Sequence, residues 1–274
     1  MDALELNSPQ NPKVKNLMSL RKKRERDRSQ EFLIEGYREL QRATESGCKL
    51  LDIYFCEELF LGANEQALIQ TFVDKGAQLF KVSKQIFEKI SYRDRPDGLL
   101  GKAKQWKSSL EEIKKLLSLK NSLIIVAVSI EKPGNLGTIL RSSDACGADA
   151  VLVCDECTDI FNPNVVRAST GTLFTQKVLE CSSDQLISLF TEHDIQVIAA
   201  TPGGTALYTE VDLKKSTAIV MGCEQYGLPD QWLRSADKQV VIPMKGQADS
   251  LNVAMATTIL SYEALRQRST REGA

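Results

Sequence analysis

The chain has 274 residues, of which 42% are hydrophobic and 26% charged, a balance typical of a globular protein with room for two domains. Its net charge of −1 excludes a chain that is basic throughout. The longest apolar run, Leu123–Val128, is too short to cross a bilayer, and the N-terminus lacks the pattern of a secretory signal, so we expect a cytoplasmic protein without a membrane partner.

A basic stretch lies near the start of the chain. The pattern predicts a helix over about residues 12–28, in which only Glu25 and Asp27 oppose the cations. Blocks of like charge often contact nucleic acid, but many form a solvated helix face, and both interpretations stay open. The candidate RNA contacts are Arg21, Lys22, Lys23, Arg24, Arg26 and Arg28.

The elements that follow alternate between strand and helix. A helix is predicted over about residues 37–46, where Gly47 ends it, and further helices separate the later strands. These elements predict a small α/β domain over residues 1–106, followed by a connecting amphipathic helix at residues 107–120. The predicted strands are residues 31–35, 51–56, 78–82 and 98–103.

From residue 123 the pattern changes to nearly continuous apolar runs. Such runs are typical of strands buried on both faces, and hence of a mainly parallel sheet covered by helices. Helices are predicted between them at about residues 136–146, 164–169, 183–192, 229–235 and 251–266, in a second α/β domain over residues 121–274. The predicted strands are residues 123–129, 150–154, 196–200, 218–222 and 239–243.

The seven cysteines are scattered and odd in number, which favours free thiols in a reducing compartment. Cys154 and Cys157 form one CxxC pair, but there is no second pair and His193 is the only histidine. A structural zinc site needs four ligands, so we expect packing at a strand end and no metal.

Polar clusters follow three strands of the second domain, at the sheet edge where open α/β proteins bind ligands. In the first, residues 131–151, Asn135 lies at a helix start and Arg141 within the helix. A helix N-cap and a surface charge are the alternatives for these two residues. The glycine spacing is not that of a dinucleotide-binding loop.

The second cluster, MGCEQYGLPD, places Glu224 directly after a strand, between Gly222 and Gly227. A first-turn helix acid is the alternative for Glu224. The third, PMKGQADSLN, predicts Ser250 as the N-cap of the last helix, and capping leaves the neighbouring Asn252 without a role.

Three segments occur in the order NLGTILR, GCEQYGL and IPMKGQADSLNVAMA. They resemble the signature motifs of the SpoU (TrmH-type) RNA ribose 2′-O-methyltransferases of the SPOUT superfamily, and the resemblance covers residues 124–266. Residues 8–40, with a basic helix followed by FLIEG, are similar to the substrate-binding domain of that family, which resembles ribosomal protein L30e in fold.

The resemblance implies a C-terminal parallel sheet with a deep trefoil knot, a smaller N-terminal α/β domain that binds RNA, and a homodimer through the helix at residues 251–266. It implies S-adenosylmethionine as the cofactor. Arg141 matches the catalytic arginine of the family, and Asn135, Glu224, Ser250 and Asn252 match its other site positions. The implied cofactor contacts are Thr201, Pro202, Gly222, Gly227, Leu228, Ile242 and Leu251.

The implied reaction is methylation of a ribose 2′-hydroxyl, in large-subunit rRNA because the N-terminal RNA domain is present. Transfer RNA is the alternative substrate, and a non-catalytic RNA-binding or ribosome-assembly protein is the alternative class. Because arginine stays protonated in proteins, Arg141 would hold a phosphate and polarise the hydroxyl. Cys223, the pair Gln225–Tyr226 and the pair Ala254–Met255 depart from the residues usual in the family.

Overall fold

The computed structural model describes residues 3–269 and forms two compact units. The first unit is the chain up to Trp106 together with Asp159–Thr175, and the second is Lys107–Thr158 with the chain from Gln176 onward. The sequence predicts one continuous second domain over residues 121–274. The structure differs, because residues 159–175 pack within the first unit. Within the described range, no helix combines the length and the apolarity that crossing a membrane requires.

Twelve strands and twelve α-helices are named here in chain order. The strands are β1 (Leu4–Leu6), β2 (Glu31–Glu35), β3 (Leu50–Phe55), β4 (Gln78–Val82), β5 (Leu99–Lys104), β6 (Leu123–Val128), β7 (Ala150–Cys154), β8 (Val178–Cys181), β9 (Gln196–Ala200), β10 (Ala206–Leu207), β11 (Thr217–Met221) and β12 (Lys238–Val241). The helices are α1 (Pro12–Ser19), α2 (Lys23–Ser29), α3 (Tyr37–Glu45), α4 (Glu65–Asp74), α5 (Lys84–Ile90), α6 (Leu110–Leu117), α7 (Pro133–Ala145), α8 (Pro163–Ala168), α9 (Thr172–Thr175), α10 (Ser183–Glu192), α11 (Asp230–Ser235) and α12 (Val253–Arg268).

A mixed sheet of five strands forms the centre of the first unit, in the order β1-β4-β3-β5-β2. Strand β5 is antiparallel to β2 and β3, whereas β4 is parallel to β3 and β1. The four predicted strands occur within one residue of their predicted bounds. The sequence does not predict β1, because two of its three residues are exposed and the strand is too short to show alternation.

The basic stretch forms two helices, α1 and α2, where the sequence predicts one. Leu20 ends α1 and is fully buried. The Arg26 guanidinium donates from Nη1 to the carbonyl oxygens of Leu20 and Arg21, each at 2.9 Å. In a continuous helix these carbonyls would accept from residues four positions later. The arginine therefore replaces the hydrogen bonds that the break removes.

Aromatic side chains hold Asp159–Thr175 within the first unit. The Phe161 ring lies 4.8 Å from that of Phe32 and 4.6 Å from that of Trp106, between centroids. Phe174 stacks on Phe32 at 6.3 Å. Helix α8, which the sequence predicts for the second domain, therefore belongs to the first unit.

Seven parallel strands form the sheet of the second unit, in the order β10-β12-β9-β11-β6-β7-β8. Every residue of β6, β7 and β11 is buried, which confirms the prediction of strands covered on both faces. The sequence does not predict β8 and β10, which are short and partly exposed. From β6 the chain continues to β7 and β8 on one side and then crosses to β9 on the other. Such a reversal of direction is where open α/β sheets bind ligands. The knot stays a prediction.

Candidate active site

A cavity of about 590 Å³ lies at the carboxyl ends of β9, β11 and β12, within the second unit. Its volume lies in the range of small-molecule sites. The walls come from the loops after these three strands and from the segment that leads into α12. The seven predicted cofactor contacts all line it: Thr201, Pro202, Gly222, Gly227, Leu228, Ile242 and Leu251.

Two glycines, one in the cavity wall and one in the loop after β9, let backbone segments approach one another closely. A Cβ atom at Gly222 would lie 2.3 Å from the Gly227 carbonyl, and one at Gly204 would lie 2.4 Å from the Val240 carbonyl carbon. Gly227 also has a φ of +68°, which favours glycine, and its amide donates to the Cys223 carbonyl at 3.0 Å. The wall is therefore built largely from fixed backbone.

Three of the predicted site residues form one hydrogen-bonded chain across three elements. Asn252, which begins α12, donates from Nδ2 to the Asn135 Oδ1 atom on α7 at 3.1 Å. Asn135 in turn donates to the Glu224 carboxylate on the loop after β11. Asn135 thus orients the carboxylate at the edge of the cavity, and Asn252 orients Asn135.

The N-cap of α12 is Asn252, which corrects the prediction of Ser250. The Asn252 Oδ1 atom accepts from the Ala254 amide at 2.9 Å, so its side chain caps the helix and contacts Asn135 at once. Ser250 is exposed and lines the cavity.

Arg141 lies on the exposed side of α7, whose opposite face is buried through Leu136, Ile139 and Leu140. A contact of 2.6 Å between the Ser142 and Thr258 hydroxyls holds α7 against α12. No residue of the described range forms a hydrogen bond or ion pair with the Arg141 guanidinium, and Arg141 is not among the residues that line the cavity.

The predicted RNA contact Arg26 is wrong. This side chain is 1% exposed, and its Nη2 and Nε atoms lie 2.6 and 2.8 Å from Asp159 Oδ2. A buried charge needs such partners, so the Arg26 side chain is committed to the interior of the first unit. Arg21 is half-buried and donates to the carbonyls of Lys89 and Ser91 at 2.9 and 2.6 Å.

The other four candidate RNA contacts, Lys22, Lys23, Arg24 and Arg28, are exposed. Lys23 forms an ion pair with Asp27 at 2.7 Å, and Arg28 one with Glu25 at 2.6 Å. Lys22 and Arg24 have no partner for their cationic groups among the residues described. These two are the strongest remaining candidates for contact with RNA phosphates.

The CxxC pair does not behave as a unit. The Cys154 Sγ atom lies 3.6 Å from that of Cys181 on the neighbouring strand, whereas Cys157 donates to the Ile130 carbonyl at 3.2 Å. Burial raises the pKa of the Cys157 thiol to about 12, so it is protonated at neutral pH. All seven cysteines are free, and no group of three potential metal ligands occurs in the described part of the chain.

Several residues that line the cavity carry no signal in the sequence. Met221, Met244 and Asp249 lie within the motifs, but no spacing or residue type marks them as contacts. Tyr226 also lines the cavity, at a position where this chain departs from the resemblance.

Comparison with known proteins finds relatives over nearly the whole chain. The family model of the SpoU rRNA Methylase family matches residues 122–262, and that of the MRM3-like substrate binding domain matches residues 11–101. An uncharacterized tRNA/rRNA methyltransferase of Synechocystis is 30% identical, covering 97% of this chain and 95% of its own. The 23S rRNA (guanosine(2553)-2′-O)-methyltransferase of Bacillus subtilis is 28% identical, covering 94% of this chain and 98% of its own.

A solved structure is also similar over almost the full length. The crystal structure of an AdoMet-bound rRNA methyltransferase from Sinorhizobium meliloti matches with a TM-score of 0.89 and 30% identity, covering 98% of this chain and 99% of that chain.

Proposed function

Because the chain belongs to the SpoU rRNA methylase family, we propose that it transfers a methyl group from S-adenosylmethionine to a ribose 2′-hydroxyl of large-subunit rRNA. The observation that carries the proposal is the hydrogen-bonded chain of Asn252, Asn135 and Glu224 at the edge of the cavity. We assign binding of the RNA substrate to the first unit, which contains the match to a substrate binding domain.

The cavity fits the proposed cofactor. Leu228, Ile242 and Leu251 supply apolar walls, which suit a purine ring, and glycine at position 222 lets the backbone of Gly227 and Leu228 approach closely. The Glu224 and Asp249 carboxylates bring negative charge to a site for a cationic ligand. When bound, S-adenosylmethionine supplies the electrophilic methyl group.

The protein side chains position the acceptor. Methyl transfer needs the ribose oxygen in line with the carbon that it attacks, so orientation supplies much of the rate. The free guanidinium of Arg141 is suited to grip a phosphate of the target nucleotide by two hydrogen bonds and to polarise its hydroxyl. Asn135, itself held by Asn252, orients the Glu224 carboxylate.

We also propose that the protein is a homodimer through α12. Met255 and Tyr262 lie seven residues apart on this helix, and hence on one face, and are 62% and 46% exposed. Exposed apolar side chains in a row are typical of an interface. Sedimentation of the full chain tests this proposal. The free cysteines support a cytoplasmic location.

Incubation with S-adenosylmethionine labelled in the methyl group tests the function. The substrate is total RNA from a strain that lacks the gene, and the expected result is label on ribose in large-subunit rRNA. Label confined to tRNA would support the alternative substrate. Label on bases alone, or on no RNA, would contradict the proposal. Calorimetric titration with S-adenosylmethionine distinguishes an enzyme from an RNA-binding scaffold that has lost the cofactor site.

A further inference from the structure

Tyr226 is the most exposed aromatic side chain of the described residues, at 78%. It lies in the turn between β11 and α11, two residues after Glu224. In the resemblance to the SpoU family, this is where the pair Gln225–Tyr226 replaces a pair that usually contains glycine. A large aromatic ring is exposed to solvent at a position where a small residue would be sufficient for the turn.

The backbone of this turn is fixed. Cys223 and Gly227 form an isolated antiparallel bridge, and the Gly227 amide donates to the Cys223 carbonyl at 3.0 Å. The Tyr226 amide donates to the Cys223 Sγ atom at 3.4 Å. The ring is therefore held outward by a closed loop.

The side chain itself has no role in holding the fold. Within residues 3–269, the hydroxyl has no hydrogen-bond partner and the ring has no aromatic or cationic neighbour. Exposing an aromatic ring forfeits the free energy that its burial would supply. The turn closes through backbone groups and Cys223, so the ring adds nothing to it.

The Tyr226 ring lies at the same cavity as Glu224, one of the proposed site residues. Tyr226 and Glu224 line the same cavity, and Asn135 orients the Glu224 carboxylate. A ribose that reaches this carboxylate carries a base at C1′, within a few ångströms of its 2′-oxygen. The base of such a nucleotide must leave the stack of the RNA, and proteins receive unstacked bases on aromatic side chains.

We propose that Tyr226 stacks on the base of the nucleotide whose ribose is methylated. The inference rests on the proposed function and names a substrate contact for the same site. Every base has an aromatic face, so the contact positions the nucleotide without selecting one base.

The test compares Tyr226→Phe, which keeps the ring, with Tyr226→Leu, which keeps apolar bulk but is not planar. The substrate is 23S rRNA from a strain that lacks the gene. We expect Tyr226→Phe to stay within about twofold of the native protein and Tyr226→Leu to raise the KM for RNA about tenfold, because stacking on one base is worth that much or more. The affinity for S-adenosylmethionine, measured by calorimetry in all three proteins, separates a loss of cofactor binding from the expected rise in the KM for RNA.

Three results would overturn the proposal. Tyr226→Leu could equal the native protein, Tyr226→Phe could lose as much as Tyr226→Leu, or Tyr226→Leu could sediment differently, which would put the ring in a contact between copies. RNA affinity in the presence of S-adenosylhomocysteine is measured in parallel and needs no turnover. A native protein that binds this RNA without methylating it refutes the proposed function, whereas the binding ratio of the variants still decides the role of Tyr226.

Discussion

Two arginines show how the surroundings of a residue decide its role. Arg26 lies in a run of cations and is buried against a carboxylate, whereas Arg141 lies among small residues and is exposed, with no partner among residues 3–269. The cations next to Arg26 in the sequence suggest an exposed side chain, which is the reverse of what the structure shows. Its partner, Asp159, is 133 positions away, so no local pattern could reveal the pair.

Arg141→Ala is expected to lower methyl transfer by about 10²-fold or more, because the target nucleotide loses the group that positions it. An exposed substitution should change the free energy of unfolding by less than about 0.5 kcal/mol. Rates with labelled cofactor measure the first quantity, and urea unfolding measures the second. Arg141→Lys is the control, since it keeps the charge but not the two-pronged geometry, and should fall between. Normal turnover of Arg141→Ala would contradict this role.

At the scale of elements, helix α2 combines a structural and a solvent-exposed face. Arg26 points into the first unit, whereas Lys22 and Arg24, at and after its N-terminal end, face solvent. A solvated helix and an RNA contact are both compatible with its composition. The structure limits the second interpretation to the cations that no carboxylate neutralises.

Replacing Lys22 and Arg24 by Gln together is expected to weaken RNA binding and to flatten its dependence on salt. For each phosphate that the protein no longer neutralises, the slope of log K against log salt should fall by about 0.7 to 0.9. The pair Lys84→Gln and Lys89→Gln, on the exposed face of α5, makes the same change in charge and should leave the slope unchanged. Equal slopes for the two double variants would exclude α2 as a binding element.

Arg26→Ala should instead lower the free energy of unfolding by about 3–5 kcal/mol.

The elements that the sequence predicts well are those with a strong local signal. Strands β6, β7, β9 and β11 are unbroken apolar runs, and their predicted bounds agree almost residue by residue. Strands of two to four residues, such as β8 and β10, have too few positions to show a period. The predicted cofactor contacts line one cavity because their motifs follow neighbouring strands. The N-cap of α12 shows a limit of prediction from sequence. The sequence predicts Ser250 and the structure shows Asn252, because either polar residue could begin the helix.

At the scale of the whole molecule, each unit has its own aromatic or apolar core, but the chain enters the first unit twice. Phe161 and Phe174 complete the cluster around Phe32 and Trp106. The sequence shows that these residues are apolar, but it does not show which sheet they pack against. A prediction from sequence therefore assigns the segment to the same domain as its neighbours in the chain.

Phe161→Ala is expected to destabilise the first unit by about 3–5 kcal/mol, through reduced burial and the cavity left among the aromatic rings. Native-state hydrogen exchange should show lower protection in β2 and β5, before any loss in β6 and β7. Phe190→Ala, which removes a buried ring from the core of the second unit, is the matched control. It should lower the protection of β6 and β7 before that of β2 and β5. If Phe161→Ala lowered the exchange protection of the second unit's sheet alone, the assignment of residues 159–175 to the first unit would be refuted.

The return of residues 159–175 to the first unit has a consequence for the chain as it leaves the ribosome. The first five strands emerge early, but Asp159, Phe161 and Phe174 follow after roughly 3 to 14 s of further translation, at 5 to 20 residues per second. Until then the nascent sheet lacks its aromatic cover and the Arg26 charge lacks its counterion. The first unit therefore cannot complete its core during synthesis until residues 159–175 have emerged.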